Sequence, residues 1–162
     1  MDRLVIERWK DIEGYNGIYQ VSQFGNVRSF RQSKEGKLRK LVKNSNGYLK
    51  VCLYNKMGKV FHTVHRLVAT AFLHKPEGCT EVNHKNKDKL CNYAWNLEWC
   101  TAQYNIEYSI AKKYKLVSPK GEVVEVFNLC KFCRDNNLNN GNLSMVVVGQ
   151  RDHHKGWKLF KE

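Results

Sequence analysis

Residues 80–105 read TEVNHKNKDKLCNYAWNLEWCTAQYN, and the architecture of the chain follows from them. Thr80 to His84 has the length and apolar centre of a short strand. Residues 85–96 are polar, with Asn86, Asp88 and Asn92, and read as a loop. Leu97 to Cys100 reads as a second strand. Thr101 is a suitable N-cap for a helix from Ala102 to about Lys113. Strand, loop, strand and helix therefore follow in order. They place Asn83 and His84 at a strand end, Asn96 at the start of the next strand and Asn105 in the first helical turn.

Upstream, the chain reads as β-rich. Ile18 to Val21 and Asn26 to Phe30 are short strands around the Phe24-Gly25-Asn26 turn. A basic stretch follows, with Lys34, Lys37, Arg39, Lys40 and Lys43. Asn46-Gly47 is a turn signal. From Tyr48 to Tyr54, Leu49, Val51 and Leu53 alternate with Tyr48, Lys50, Cys52 and Tyr54, the period of a strand. Met57-Gly58 turns the chain into a second strand, Val60 to Val64. Leu67, Val68, Ala71 and Phe72 share one helical face, which predicts a helix over His65 to Leu73.

Downstream, Lys115 to Ser118 and Glu122 to Phe127 flank a Pro119-Lys120-Gly121 turn and form a hairpin. Asn128 caps a helix that buries Leu129, Phe132 and Cys133. Asn139-Asn140-Gly141 breaks that helix. A second helix, Asn142 to Val148, ends at Gly149, a natural residue past a helix C-terminus. Two short helices joined by a Gly-containing turn fit a helix-turn-helix. Trp157 to Phe160 is a closing strand.

Composition bounds the function. The 162 residues are 42% hydrophobic, enough to bury a core, and no apolar run approaches the ~20 residues that span a bilayer. The N-terminus lacks the pattern of a secretion leader, so a cytoplasmic protein is expected. The net charge is +13, which points to a polyanionic partner. Residues 1–64 carry 13 basic and 5 acidic side chains, residues 65–111 carry 5 and 5, and residues 112–162 carry 10 and 5. Basic flanks around a balanced middle match binding arms around a catalytic centre. Of the six cysteines only Cys130 and Cys133 form a CxxC pair, and a structural zinc site usually needs a second one.

The middle third resembles the HNH (ββα-metal) endonucleases, and within them the phage and intron-encoded homing endonucleases. The matching residues are Val64-His65-Arg66-Leu67-Val68, Val82-Asn83-His84-Lys85, Trp95-Asn96-Leu97-Glu98-Trp99 and Tyr104-Asn105. The first third is similar to a module that recurs in these enzymes, through Trp9-Lys10-Asp11-Ile12, Gly14-Tyr15, Tyr19-Gln20-Val21-Ser22 and Gly25-Asn26-Val27-Arg28-Ser29. The last third resembles their C-terminal helix-turn-helix repeat, ending in Lys155-Gly156-Trp157. The fold expected is α+β and extended: an N-terminal antiparallel sheet over residues 1–64, a catalytic ββα-metal segment over 65–113, and a C-terminal hairpin with helix-turn-helix over 114–162.

The resemblance implies roles. Phosphodiester hydrolysis needs a base for water, a cation for the developing charge and good positioning. His84 is the expected general base, because imidazole exchanges protons near neutral pH. Asn96 tethers the loop and holds His84. Asn83 and Asn105 are the expected ligands of one Mg²⁺ or Mn²⁺ per site, amide oxygens being hard donors. Many relatives carry Asp where this chain has Asn83, so this ligand pair has no carboxylate. The negative charge must then come from elsewhere, most obviously DNA phosphate. Lys34, Lys37, Arg39, Lys40, Lys43, His65 and Arg66 are expected at double-stranded DNA. So are Asn140, Asn142 and Ser144, at the start of a recognition helix entering the major groove. The expected protein acts as a monomer and nicks one strand, leaving 5′-phosphate and 3′-hydroxyl ends. The alternative is a DNA-binding regulator whose HNH site has decayed.

Overall fold

The computed structural model describes residues 6–161. The N-terminal stretch read as leaderless falls largely on residues 1–5, outside them. The chain divides into two compact units, Met1–Ala102 and Gln103–Glu162.

Among the described residues, the first unit holds three antiparallel sheets, one α-helix and a short 3-10 helix, Ala94–Asn96. Strands β1 (Trp9–Asp11), β2 (Tyr19–Ser22), β3 (Val27–Ser29) and β4 (Lys37–Leu38) pair in sequence order. The β2–β3 turn needs Gly25, whose φ of +86° suits a residue without Cβ. Ser22 Oγ accepts from the amides of Phe24 and Asn26 and closes that turn. Strands β5 (Val42–Lys43), β6 (Leu49–Asn55) and β7 (Gly58–Thr63) form the second sheet. As the alternation predicts, Val51 and Leu53 are buried while Tyr54 is exposed. Strands β1, β4 and β5 are two or three residues long, too short for a period to register in the sequence.

Helix α1 (Val64–Phe72) follows β7 directly and turns Val64, His65, Val68 and Ala69 inward. The third sheet is the hairpin of β8 (Glu81–His84) and β9 (Leu97–Cys100), in register Asn83↔Glu98 and His84↔Leu97. One apolar core joins these elements: Ile12, Tyr19, Val21, Val27, Val51, Leu53, Val64, Val68, Val82 and Leu97 all belong to it. Each such side chain contributes ~1.5–3 kcal/mol by leaving water. The hairpin that carries His84 is thereby fastened to the N-terminal sheets.

The second unit holds α2 (Ala102–Ile110) from its second residue on, strands β10 (Lys113–Val117), β11 (Val123–Phe127) and β12 (Lys158–Leu159), and helices α3 (Leu129–Asp135) and α4 (Asn140–Val147). The sheet order is β11-β10-β12, over a core of Leu116, Val126, Leu129, Cys133, Leu143 and Val146. Helix α2 stops three residues short of the expected Lys113, because Lys113 and Tyr114 already pair with Phe127 and Val126. Gly141 does not break the chain. It sits in the first turn of α4, whose first free amides are met by the Asn139 side chain, Oδ1 accepting from Asn142 N at 2.9 Å. Asn128 caps α3 as expected, in the left-handed region at φ 64°, with Oδ1 3.0 Å from Lys131 N. The fold is α+β, and no described helix is long and apolar enough to cross a membrane.

Candidate active site

His84 ends β8 and is only 5% exposed. Its Nε2 lies 3.1 Å from Asn92 Oδ1. Asn92 is itself buried, and its Nδ2 donates to Leu90 O at 3.0 Å, so the amide oxygen is the end that faces the ring. His84 therefore donates through Nε2, and Nδ1 keeps the lone pair. Burial lowers the His84 pKa below its ordinary 6.5, against a smaller raising effect from the Asn92 bond. A neutral imidazole with a fixed tautomer is the form a general base needs.

The loop over residues 85–96 is held by its own amides. Asn96 Nδ2 donates to Cys91 O at 2.7 Å and to Asn86 Oδ1 at 2.9 Å, and its Oδ1 accepts from Asn86 N. Asn86 Oδ1 also accepts from Asp88 N, and Asp88 Oδ1 from Leu90 N. Lys87 adopts φ 63° at the turn, its amide donating to His84 O. Asn96 thus ties the loop to the strand, while Asn92 carries the direct bond to the ring. The loop also leans on the β2–β3 turn. Ala94 N donates to Gln23 O at 2.8 Å, and a Cβ on Gly25 would stand 3.0 Å from Asn92 Cβ.

His65 is buried at 6% exposure rather than presented on the surface. Its ring lies 4.7 Å from Tyr48 and 5.2 Å from His84. Burial, with His84 and Arg66 nearby, drives its pKa down to about 3, so it stays neutral beside the proposed base.

Asn83 stands next to His84, 6% exposed. Its Nδ2 donates to Glu98 Oε1 at 2.7 Å. A carboxylate only accepts, so the bond fixes which end of the amide is which and leaves Oδ1 as the available donor to a cation. That donor chemistry fits a hard divalent ion. Among the described residues no group of three His, Cys, Asp or Glu side chains is placed to hold a metal ion. Asn105 lies on α2 in the second unit, half-buried.

The residues expected at DNA differ in availability. Lys34, Lys37, Lys40 and Lys43 are exposed. Arg39 is half-buried, its Nη2 reaching Cys52 O at 3.5 Å. Arg66 is exposed but pairs with Glu81 at 2.8 Å and with Thr80 O at 3.1 Å. In the second unit Asn140 is exposed, while Asn142 and Ser144 are half-buried on α4. Sequence reasoning gave no role to Asn92, Glu98, Tyr48 or the Gly25 turn. The pairing of Asn83 with Glu98 across the hairpin is set by the β8–β9 register, which the long loop over residues 85–96 does not fix in the sequence.

Residues 7–54 match the NUMOD4 motif. The chain is 35% identical to the DNA endonuclease I-HmuI of Bacillus phage SP01, over 92% of this chain and 94% of that protein. It is 40% identical to an HNH endonuclease of Acanthamoeba polyphaga mimivirus, over 64% of this chain and 26% of that one. A solved structure of I-HmuI, described as DNA binding and cleavage by an HNH homing endonuclease, superposes with a TM-score of 0.55 at 32% identity. It covers 96% of this chain and 99% of that one.

Proposed function

The chain belongs to the HNH homing endonucleases of the I-HmuI type, and on that footing we propose that it is a site-specific DNA endonuclease with His84 as general base. The observation that carries the assignment is the His84–Asn92 bond: it commits Nε2 as a donor and leaves Nδ1 free to take a proton from water. Asn92 orients the ring, and Asn96 holds the loop that positions Asn92. Neutral His65 packs beside His84 without adding charge.

Asn83 and Asn105 would hold one divalent ion, Mg²⁺ or Mn²⁺, through amide oxygens. When bound, such an ion supplies Lewis-acid stabilisation of charge on the phosphate and the leaving oxygen. Lys34, Lys37, Lys40 and Lys43 contact phosphates of double-stranded DNA, and the N-terminal end of α4, with Asn140, Asn142 and Ser144, lies against bases or backbone. The three-part division of labour is part of this reading: an N-terminal binding module over 1–64, the cutting segment over 65–113 and a binding module over 114–162. A monomer with one such site makes a nick as its basic event.

The test is nicking of a supercoiled plasmid library that carries candidate phage sequences, with Mg²⁺ or Mn²⁺, with chelator, and with His84→Ala. Wild type should nick in metal alone, and the mutant should lose about 10²- to 10⁴-fold in rate, the usual worth of a general base. Footprints without nicks in either metal would instead establish a DNA-binding regulator.

A further inference from the structure

Asn83 presents a difficulty for a cation site, since a neutral amide offers no charge. The hairpin answers it from the opposite strand. Asn83 and Glu98 are directly paired in the β8–β9 ladder, so their side chains emerge on one face of the sheet. The Asn83 Nδ2 to Glu98 Oε1 distance of 2.7 Å is that of a charge-assisted hydrogen bond. Asn83 is buried and Glu98 half-buried, so neither is a freely rotating surface group.

We propose that Glu98 is a positioning residue of the cation site: its carboxylate locks the Asn83 amide with Oδ1 turned outward and lends that oxygen negative charge from behind. The inference rests on the reading of Asn83 as a cation ligand. Its chemistry is simple. A carboxylate that accepts from an amide NH₂ draws the proton side of the amide toward itself and raises electron density on the carbonyl oxygen. An outer partner of this kind orients a ligand and increases its basicity, as carboxylates do behind ligating histidines. Glu98 thereby supplies through one hydrogen bond part of the charge that an aspartate at position 83 would supply directly.

The experiment is a titration of full-length protein with Mn²⁺, following free Mn²⁺ by electron paramagnetic resonance. It is run on the nicked product duplex, so that no turnover occurs. The variants are Asn83→Ala, Glu98→Gln, Asn83→Asp and the double change Asn83→Asp with Glu98→Gln. Gln keeps an acceptor for the Asn83 amide and removes the charge. Glu98→Gln should weaken Mn²⁺ binding by about 10- to 100-fold, the usual effect of losing an outer-shell partner. The double variant should recover most of that loss, because the carboxylate returns on the ligand itself, and its recovery also shows that the Gln variant folds. Mn²⁺ binding by Glu98→Gln equal to wild type would overturn the role of Glu98 while leaving the site intact. Unchanged binding by Asn83→Ala would overturn the ligand reading, and the inference with it.

Discussion

At the residue scale the decisive contact is between two side chains that are both uncharged. Asn92 fixes the His84 tautomer, and burial keeps the ring neutral. Activity should therefore rise with pH and fall away only below the lowered His84 pKa, on the acid side of 6.5. Asn92→Asp places a carboxylate against Nε2, stabilises the protonated ring and should move that acid limb to higher pH. Asn92→Ala should move it lower and reduce the rate by about 10- to 100-fold, as for other orienting partners. A pH profile of single-turnover nicking distinguishes the two, and an acid limb that stays put in both variants would remove Asn92 from the mechanism. His65 makes a separate statement about stability. The unfolded ring binds a proton from pH 6.5 downward, while the folded ring refuses it until about 3. The unfolded state thus holds more protons across that window, so stability should decline as pH falls through it. Urea midpoints at about pH 7 and about pH 4.5 should differ in wild type and differ less in His65→Gln.

At the element scale the loop over residues 85–96, proposed to hold the catalytic base, leans on a turn from another sheet. Gly25 needs its positive φ, and a methyl group there would press on Asn92. Gly25→Ala should accordingly lower activity more than it lowers DNA affinity, a split that nicking rates and gel-shift affinities measure side by side. Equal losses in both would mean the turn serves binding alone. In the second unit, the α4 cap is a single side chain. Asn139→Ala removes the Oδ1 that receives Asn142 N and should cost about 1 kcal/mol of stability by thermal melt. The ion pair of Arg134 with Glu107, 2.7 Å between Nη2 and Oε2, holds the Glu107 carboxyl below its usual range and links α3 to α2.

At the scale of the whole molecule, charge governs. The net +13 lies on the flanking thirds, and the lysines at 34, 37, 40 and 43 are exposed in the first unit. DNA affinity should fall steeply with salt. Replacing these four lysines with Gln should reduce the log–log salt slope by about 1 for each phosphate that a lysine no longer neutralises. A slope that does not change in the quadruple variant would place the phosphate-binding cations elsewhere. Cation binding belongs to the complex as well. With two neutral amides, Asn83 and Asn105, as the proposed ligands, Mg²⁺ should bind weakly to free protein and more tightly once DNA phosphate joins. Calorimetry giving sub-micromolar Mg²⁺ affinity without DNA would contradict this.

Local sequence pattern was enough for the order of most elements. Val51 and Leu53 alternate into the core because strand side chains alternate by geometry. His84, Asn96 and Asn105 are singled out through the resemblance to the HNH endonucleases, whose motif they match; spacing alone places them only at a strand end, a strand start and a helix turn. Strands β1, β4 and β5 escaped because two or three residues carry no period, and Gly141 misled because its cost depends on whether it falls in a helix's first turn. The neighbours of His84 and Asn83 came from the folded molecule alone. Asn92 meets His84 through a loop folded back by Asn96, Glu98 meets Asn83 across two strands, and Gly25 approaches from a separate sheet. Such contacts join residues far apart in the chain. They are fixed by a shared core and by backbone turns, and no local pattern of side chains encodes them.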